Sequence, residues 1–408
     1  MNAVVVKETA APGRAAYSLW QLVRYMLGLG TWGFGGPVAL IGYMYRDLVE
    51  KRGWISESDY KEGLALAQLM PGPLAAQLSI YLGFVHYRVV GATLVGIAFV
   101  LPSFVMVVAL GALYVAYGGI GWMQAVFYGV GAAVIGIIAL SAYKLTTKNI
   151  GKDKLLWAIF LVSAAVTVIT RTEIVWVFLG GGVLVWLWRA PPKAFGGRMN
   201  AVAAPLVASF ALGTVDWHKL GQIGSYFAYA GSFVFGSGLA IVPFLRAGVV
   251  DRFGWLDDQQ FLDAVAVAMI TPGPVVITVG FIGYIVTGRG ADFLSGAAGA
   301  SVAAVATFLP CYLFTIIPAP YFKKHGKRPG IVAFVDGVTA AAVGAIAGAC
   351  VVLGRRTILG DDWTPELPKI VLLFVTIGLL LKFKKLPEPL IVLGAAIAGL
   401  LIYPLVRV

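Results

Sequence analysis

Two proline–glycine–proline triplets carry the strongest chemical signal in this chain. They are Met70-Pro71-Gly72-Pro73 and Thr271-Pro272-Gly273-Pro274, and their glycines stand 201 residues apart. Each interrupts an apolar segment, 64–85 and 265–286, where a membrane helix is expected to run through. Proline removes a backbone donor and disfavours helix in the residue before it, while glycine adds backbone freedom. A helix must stop there and a new one begin just after. The amides of Leu74, Ala75 and Ala76, and those of Val275, Val276 and Ile277, are then left without intrahelical partners. Such amides, at the positive end of a helix dipole, make an anion site. In lipid a break of this kind persists only where the freed backbone faces protein, water or a ligand. A purely structural kink is the competing reading.

Glycine-rich stretches precede each triplet. Gly33-Phe34-Gly35-Gly36-Pro37 answers Val234-Phe235-Gly236-Ser237 at the same offset. Gly35, Gly36, Gly236 and Ser237 are candidates for close backbone approach to a ligand, with helix packing through small residues as the alternative. Around the triplets, Gln77 and Thr278 are repeat equivalents, and Thr271 stands at the second break. Arg46, Lys51, Arg246 and Arg252 lie on the polar connectors that precede the broken segments, where they could draw an anion toward a path or simply be solvated. Asp336 sits about two turns into an apolar span, and an interface position is the favoured reading for it. The three histidines, His86, His218 and His325, have no metal spacing. There is no Ser/His/Asp or His-Glu-x-x-His pattern and no Walker loop, so an enzyme, a metal site and a bound cofactor are not expected.

The elements that must position these residues are membrane helices. The chain has 408 residues, of which 60% are hydrophobic and only 12% charged, with mean hydropathy +0.88. A soluble surface needs roughly a quarter charged residues. The segments 89–143 and 293–320 are almost free of charge, longer than the ~20 apolar residues that cross a bilayer. The expectation is an all-α polytopic membrane protein in contact with the lipid bilayer. A formal charge of +12 reflects Lys and Arg collected in short loops rather than a nucleic-acid surface. Cys311 and Cys350 lie in apolar runs and suggest no disulfide framework.

The repeat extends well beyond the triplets. Glu50-Lys51-Arg52-Gly53-Trp54 aligns with Asp251-Arg252-Phe253-Gly254-Trp255, and past the triplets an offset of 208 matches Leu101-Pro102 to Leu309-Pro310 and Gly129-Val130 to Gly337-Val338. The chain therefore reads as an N-terminal tail (1–16), a first repeat (17–198), a linker or additional span (199–219) and a second repeat (220–408). Equivalent loops differ in positive charge, and the difference reverses from one loop to the next. An uncharged turn at 118–121 answers Lys323, Lys324, Lys327 and Arg328, whereas Lys144, Lys148, Lys152 and Lys154 answer Arg355 and Arg356 offset by Asp361, Asp362 and Glu366. This predicts inverted repeats. Ten spans with re-entrant segments and thirteen spans both satisfy the inversion, the odd total being favoured by Lys7, Arg14 and Arg24.

On Gly33-Phe34-Gly35-Gly36-Pro37, the connector through Gly53-Trp54, Leu69-Met70-Pro71-Gly72-Pro73 and the second-half copy ending at Thr271-Pro272-Gly273-Pro274, the chain resembles the chromate ion transporter family in its long, two-domain form. The resemblance implies a multi-pass protein of the bacterial inner membrane that exports chromate from the cytoplasm and confers chromate resistance, with sulfate as an analogue. A sulfate or other oxyanion carrier and an anion channel are the alternatives, and a homodimer is compatible. The expected substrate-binding residues are Gly35, Gly36, Pro71, Gly72, Pro73, Leu74, Ala75, Gln77, Gly236, Ser237, Thr271, Pro272, Gly273, Pro274, Val275, Val276 and Thr278. The second glycine-rich stretch departs from the first, reading Phe235-Gly236-Ser237-Gly238.

Overall fold

The computed structural model describes residues 17–33, 36–117, 121–170, 174–191, 216–236, 241–325, 328–358, 366–383 and 388–406. The tail at 1–16, the candidate span at 201–215, Gly35 and Ser237 lie outside the described residues.

Side-chain caps start many of the helices, which is why the polar residues fall where they do. Ser18 and Gln21 form a capping box at α1 (Leu19–Trp32). α2 (Gly36–Met44) runs into a π-helical connector, Tyr45–Lys51, and Ser56 caps α3 (Glu57–Leu69). After the first triplet comes α4 (Leu74–Tyr117), which holds a sharp reversal at Arg88, where φ is 52° and ψ is −141°. There Gly83 lies against the backbone of Gly91, so the half-helix folds back on the span that follows it. α5 (Gly121–Asn149), α6 (Lys154–Thr170) and α7 (Val175–Arg189) complete this part.

The order then repeats. Asp216 caps α8 (Trp217–Gly231), followed by α9 (Ile241–Arg246) and a second π-helical connector, Ala247–Arg252. Asp257, the repeat equivalent of Ser56, caps α10 (Asp258–Ile270) together with Gln260. The second triplet leads through one 3-10 turn, Val275–Ile277, into α11 (Thr278–Gly288). α12 (Phe293–Ile316), the short α13 (Ala319–His325), α14 (Pro329–Ile358), α15 (Leu367–Lys382) and α16 (Glu388–Val406) follow. Even loop hydrogen bonds recur: Trp54 N donates to Leu48 O and Trp255 N to Val249 O, both at 2.8 Å.

Four stretches among the described residues are long and apolar enough to cross a membrane: Leu74–Tyr117, Gln124–Lys144, Phe293–Phe322 and Pro329–Val352. Their outward faces are apolar as well. Ile97, Leu101 and Val105 on α4 are exposed, as are Val305, Leu309 and Leu313 on α12, their equivalents at an offset of 208. Water would penalise such a stripe, whereas hydrocarbon accepts it. This is an all-α, multi-pass membrane protein.

The two parts of the chain are exchanged rather than side by side. α14 packs on α6 and α7, while α5 packs on α15 and α16. Small residues set the approach in both. A Cβ on Gly129 would lie 2.0 Å from Ala395 O, and one on Gly399 2.2 Å from Ala125 O. The counterpart pair, Gly337 and Gly181, brings α14 to α7 in the same way. Without a hydrophobic drive between helices in lipid, such close backbone contact supplies the packing energy. Gly129→Ala or Gly399→Ala is expected to destabilise the fold by about 1–3 kcal/mol through overpacking, read as a lowered melting temperature in detergent. Gly378→Ala, which meets no atom within 4 Å, is the neutral control.

Candidate functional site at the paired helix breaks

Both triplets interrupt their helices as their chemistry requires. Met70 (φ −94°, ψ 146°) and Thr271 (φ −86°, ψ 141°) are extended, and Gly72 and Gly273 have φ of +146° and +93°. Only glycine holds these conformations without strain. The surroundings leave no room for a side chain either. A Cβ on Gly72 would stand 2.6 Å from Gln77 Cδ and 3.0 Å from Cys311 Sγ, and one on Gly273 would stand 2.8 Å from Ser103 Oγ. Ser103 and Cys311 are themselves repeat equivalents, each following the proline inside a long span.

The freed backbone is satisfied across the repeat. Gly72 N donates to Val234 O at 2.5 Å, and Gly273 N donates to Gly33 O at 3.1 Å. At an offset of 201, Gly72 is equivalent to Gly273 and Gly33 to Val234, so each break docks on the glycine-rich stretch of the other repeat. At the first break the contact extends into a parallel two-residue pairing, β1 (Gly72–Pro73) with β2 (Phe235–Gly236), in which Gly72 faces Phe235 and Pro73 faces Gly236. The structure thus brings Pro71, Gly72, Pro73 and Gly236 together, and places Gly273, between Pro272 and Pro274, against Gly33 and Ser103. Gly36 opens α2.

Leu74, Ala75 and Gln77 are buried, as are Thr271 to Thr278. The hydroxyls of Thr271 and Thr278 donate to Ala268 O and Val275 O. Gln77 Nε2 donates to Pro71 O at 2.8 Å. Among the described residues the buried charged side chains are Arg246 and Asp263, so the breaks themselves hold no buried cation.

The connector charges separate into different environments. Arg246 is buried and bonded to Asp251 at 2.7 Å and, through Nε, to Asp258 at 2.9 Å. Arg46 is exposed and bonded to Asp47 at 3.0 Å, and Lys51 approaches the same carboxylate at 3.3 Å. The Arg46 hydrogen bond holds the Asp47 carboxyl below the usual carboxylate range. Arg252 is exposed and lies over Phe253, 5.0 Å from the ring centre.

Further residues, Asp47, Glu62 and Asp263 among them, join those of the sequence reading in this region. A cavity of about 720 Å³ is lined by Arg24, Arg46, Arg52, Asp47 and Trp54 and reaches Gly33. Arg52 lies 4.5 Å from the Trp54 ring centre. Three cations against one carboxylate make this opening electropositive, and Gly33, whose carbonyl receives Gly273 N, is among the residues that line it. Before each break stands a carboxylate held by a tyrosine: Glu62 accepts from Tyr81 Oη at 2.9 Å, and Asp263 accepts from Tyr114 Oη at 2.7 Å and from Gln259 Nε2 at 2.9 Å. The offset of 201 that pairs Glu62 with Asp263 was the available signal.

Lipid-matched helices built around two crossed helix breaks, with an electropositive opening lined in part by Gly33, define a polytopic membrane protein of the transporter class. The family model described as Chromate transporter matches residues 20–186 and 221–400, and the chain belongs to that family. It is 66% identical to the chromate transport protein of Cupriavidus metallidurans over the full length of both chains. It is 60% identical to the probable chromate transport protein of Synechococcus elongatus, covering 95% of this chain and 96% of that one. A chromate transport protein of Pseudomonas aeruginosa is 32% identical over 94% of this chain and 92% of its own. No solved structure matches the chain.

Gly72→Ala and Gly273→Ala are expected each to lower stability by about 1–3 kcal/mol, from forced φ and contact with packed neighbours, and to depress transport at least tenfold in vesicles. Arg246→Met is expected to cost about 2 kcal/mol through its lost charge-assisted hydrogen bonds. Arg46→Met should change the melting temperature little, since exposed pairs contribute on the order of 0–1 kcal/mol.

Proposed function

We propose that this protein is a secondary transporter of the bacterial inner membrane that exports chromate from the cytoplasm and thereby confers chromate resistance. It works by alternating access between two inverted repeats whose breaks line one substrate site. The observation that carries this reading is the reciprocal docking of each break on the opposite glycine-rich stretch. A contact made twice, with roles exchanged, is what a two-fold relation between halves produces, and the reversing excess of positive charge between equivalent loops supports inversion.

The chemistry of the breaks suits a tetrahedral oxyanion. Chromate presents acceptor oxygens, and the first-turn amides of Leu74 and Ala75, with their counterparts at Val275 and Val276, are donors at positive helix ends. Pro71, Pro73, Pro272 and Pro274 hold the break open, Gly72, Gly273 and Gly236 let backbone come close, and Gln77, Thr271 and Thr278 add polar side chains. A buried lysine or arginine would hold an oxyanion tightly and slow its release, whereas shared amides bind weakly enough to let it go. Arg24, Arg46 and Arg52 gather the anion at the opening. An inside-negative potential favours expulsion by about 2.3 kcal/mol per charge per 100 mV.

In proteoliposomes, the reading predicts saturable chromate flux driven outward by an imposed negative interior, with at least a tenfold loss in Pro71→Ala. Ohmic, non-saturating anion current would show a channel instead. Chromate that disappears without crossing the membrane would show an enzyme.

A further inference from the structure

The first break holds one polar atom whose needs the transport reading leaves unmet. Gln77 is fully buried, and its Nε2 donates to Pro71 O at 2.8 Å. A carbonyl can only accept, so the amide nitrogen must face Pro71 and the carboxamide oxygen must face away. That oxygen, Oε1, is buried and has no hydrogen-bond partner among the described residues. An unsatisfied buried acceptor is unfavourable and calls for a donor. The residue sits in the first turn of α4 and lies across the break, with its Cδ and Cys311 Sγ of α12 both close to Gly72.

We propose that the site at the first break takes its oxyanion in the singly protonated, monoanionic form, with the hydroxyl of that anion donating to Gln77 Oε1. This rests on the reading of the breaks as the substrate site. The remaining oxygens accept from the first-turn amides of α4, so donors and acceptors match on both partners. A fully deprotonated oxyanion has only acceptor oxygens and would face Oε1 oxygen to oxygen. A polar site built for a hydroxyl rejects an analogue that lacks it far more strongly than an apolar pocket rejects a change of size.

The consequence is selectivity between near-identical tetrahedra. The chromate dianion takes up one proton close to neutral pH, whereas the sulfate dianion takes up one only in acid. A single carboxamide oxygen therefore separates them by protonation rather than by shape. The two breaks differ in this respect. Thr278, the repeat equivalent of Gln77, donates its hydroxyl to Val275 O. Cys311 is a titratable side chain packed beside Gly72 at the first break. The buried charges elsewhere are already engaged, Arg246 with Asp251 and Asp258, and Asp263 with Tyr114 and Gln259.

The test is initial chromate flux in wild-type proteoliposomes at constant total chromate, from about pH 6 to about pH 9, with and without sulfate. The rate should fall about tenfold per pH unit above the substrate's own protonation, following the fraction of monoanion, and sulfate should compete poorly at neutral pH. Gln77→Met keeps the side-chain length and removes the oxygen. It should flatten that profile and improve sulfate competition at least tenfold. Wild-type flux that is level or rises with pH, or efficient sulfate transport at neutral pH, would overturn the protonated-form proposal while leaving chromate transport intact. Absence of saturable chromate flux at every pH would instead sink the transport reading beneath it.

Discussion

A helix broken inside a membrane leaves backbone groups that lipid cannot satisfy, and the rest of this architecture follows from where those groups find partners. They find them in the opposite repeat. Gly72 N reaches Val234 O and Gly273 N reaches Gly33 O, so neither break is complete within its own half. The exchange of closing helices, α14 onto α6 and α7 and α5 onto α15 and α16, holds the halves in the register those two hydrogen bonds require. Removal of one half would orphan the backbone of the other, which ties stability and site formation to the same contacts.

Within that frame the polar chemistry is graded by depth. Exposed cations of the first connector, Arg46 and Arg52, line an opening that Gly33 also lines. Inside, the proposed site relies on amides, hydroxyls and one carboxamide. Charges that are buried are engaged by specific partners, as with Arg246 and its two carboxylates. This arrangement avoids the desolvation of a free cation in the bilayer while keeping a positive potential along the route.

Much of the fold was legible in the sequence, because glycine and proline report backbone requirements directly. The triplets marked both breaks, and the offset of 201 paired them. What spacing could not reveal was the crossing of the partnership. Nothing in the order Gly33 to Gly72 says that Gly72 docks on Val234 rather than on its own glycine-rich stretch. Side-chain environments were harder still. Arg46 and Arg246 look alike as connector cations, yet one is exposed beside Asp47 and the other is buried between Asp251 and Asp258. Asp336 drew attention as a carboxylate within a span, and its partner is Arg189 at 2.7 Å, supplied by α7 from far along the chain. Glu62 and Asp263 passed unnoticed because their meaning depends on Tyr81 and Tyr114, brought to them only by folding.

The central claim is that the two breaks form one substrate site. Equilibrium binding of radiolabelled chromate to the purified protein tests it most directly, through stoichiometry in the wild type and in Gly72→Ala and Gly273→Ala variants that remain monodisperse. The account predicts one chromate per chain, with at least tenfold weaker binding when either glycine is changed. Two chromates per chain, each lost with a different glycine, would contradict it.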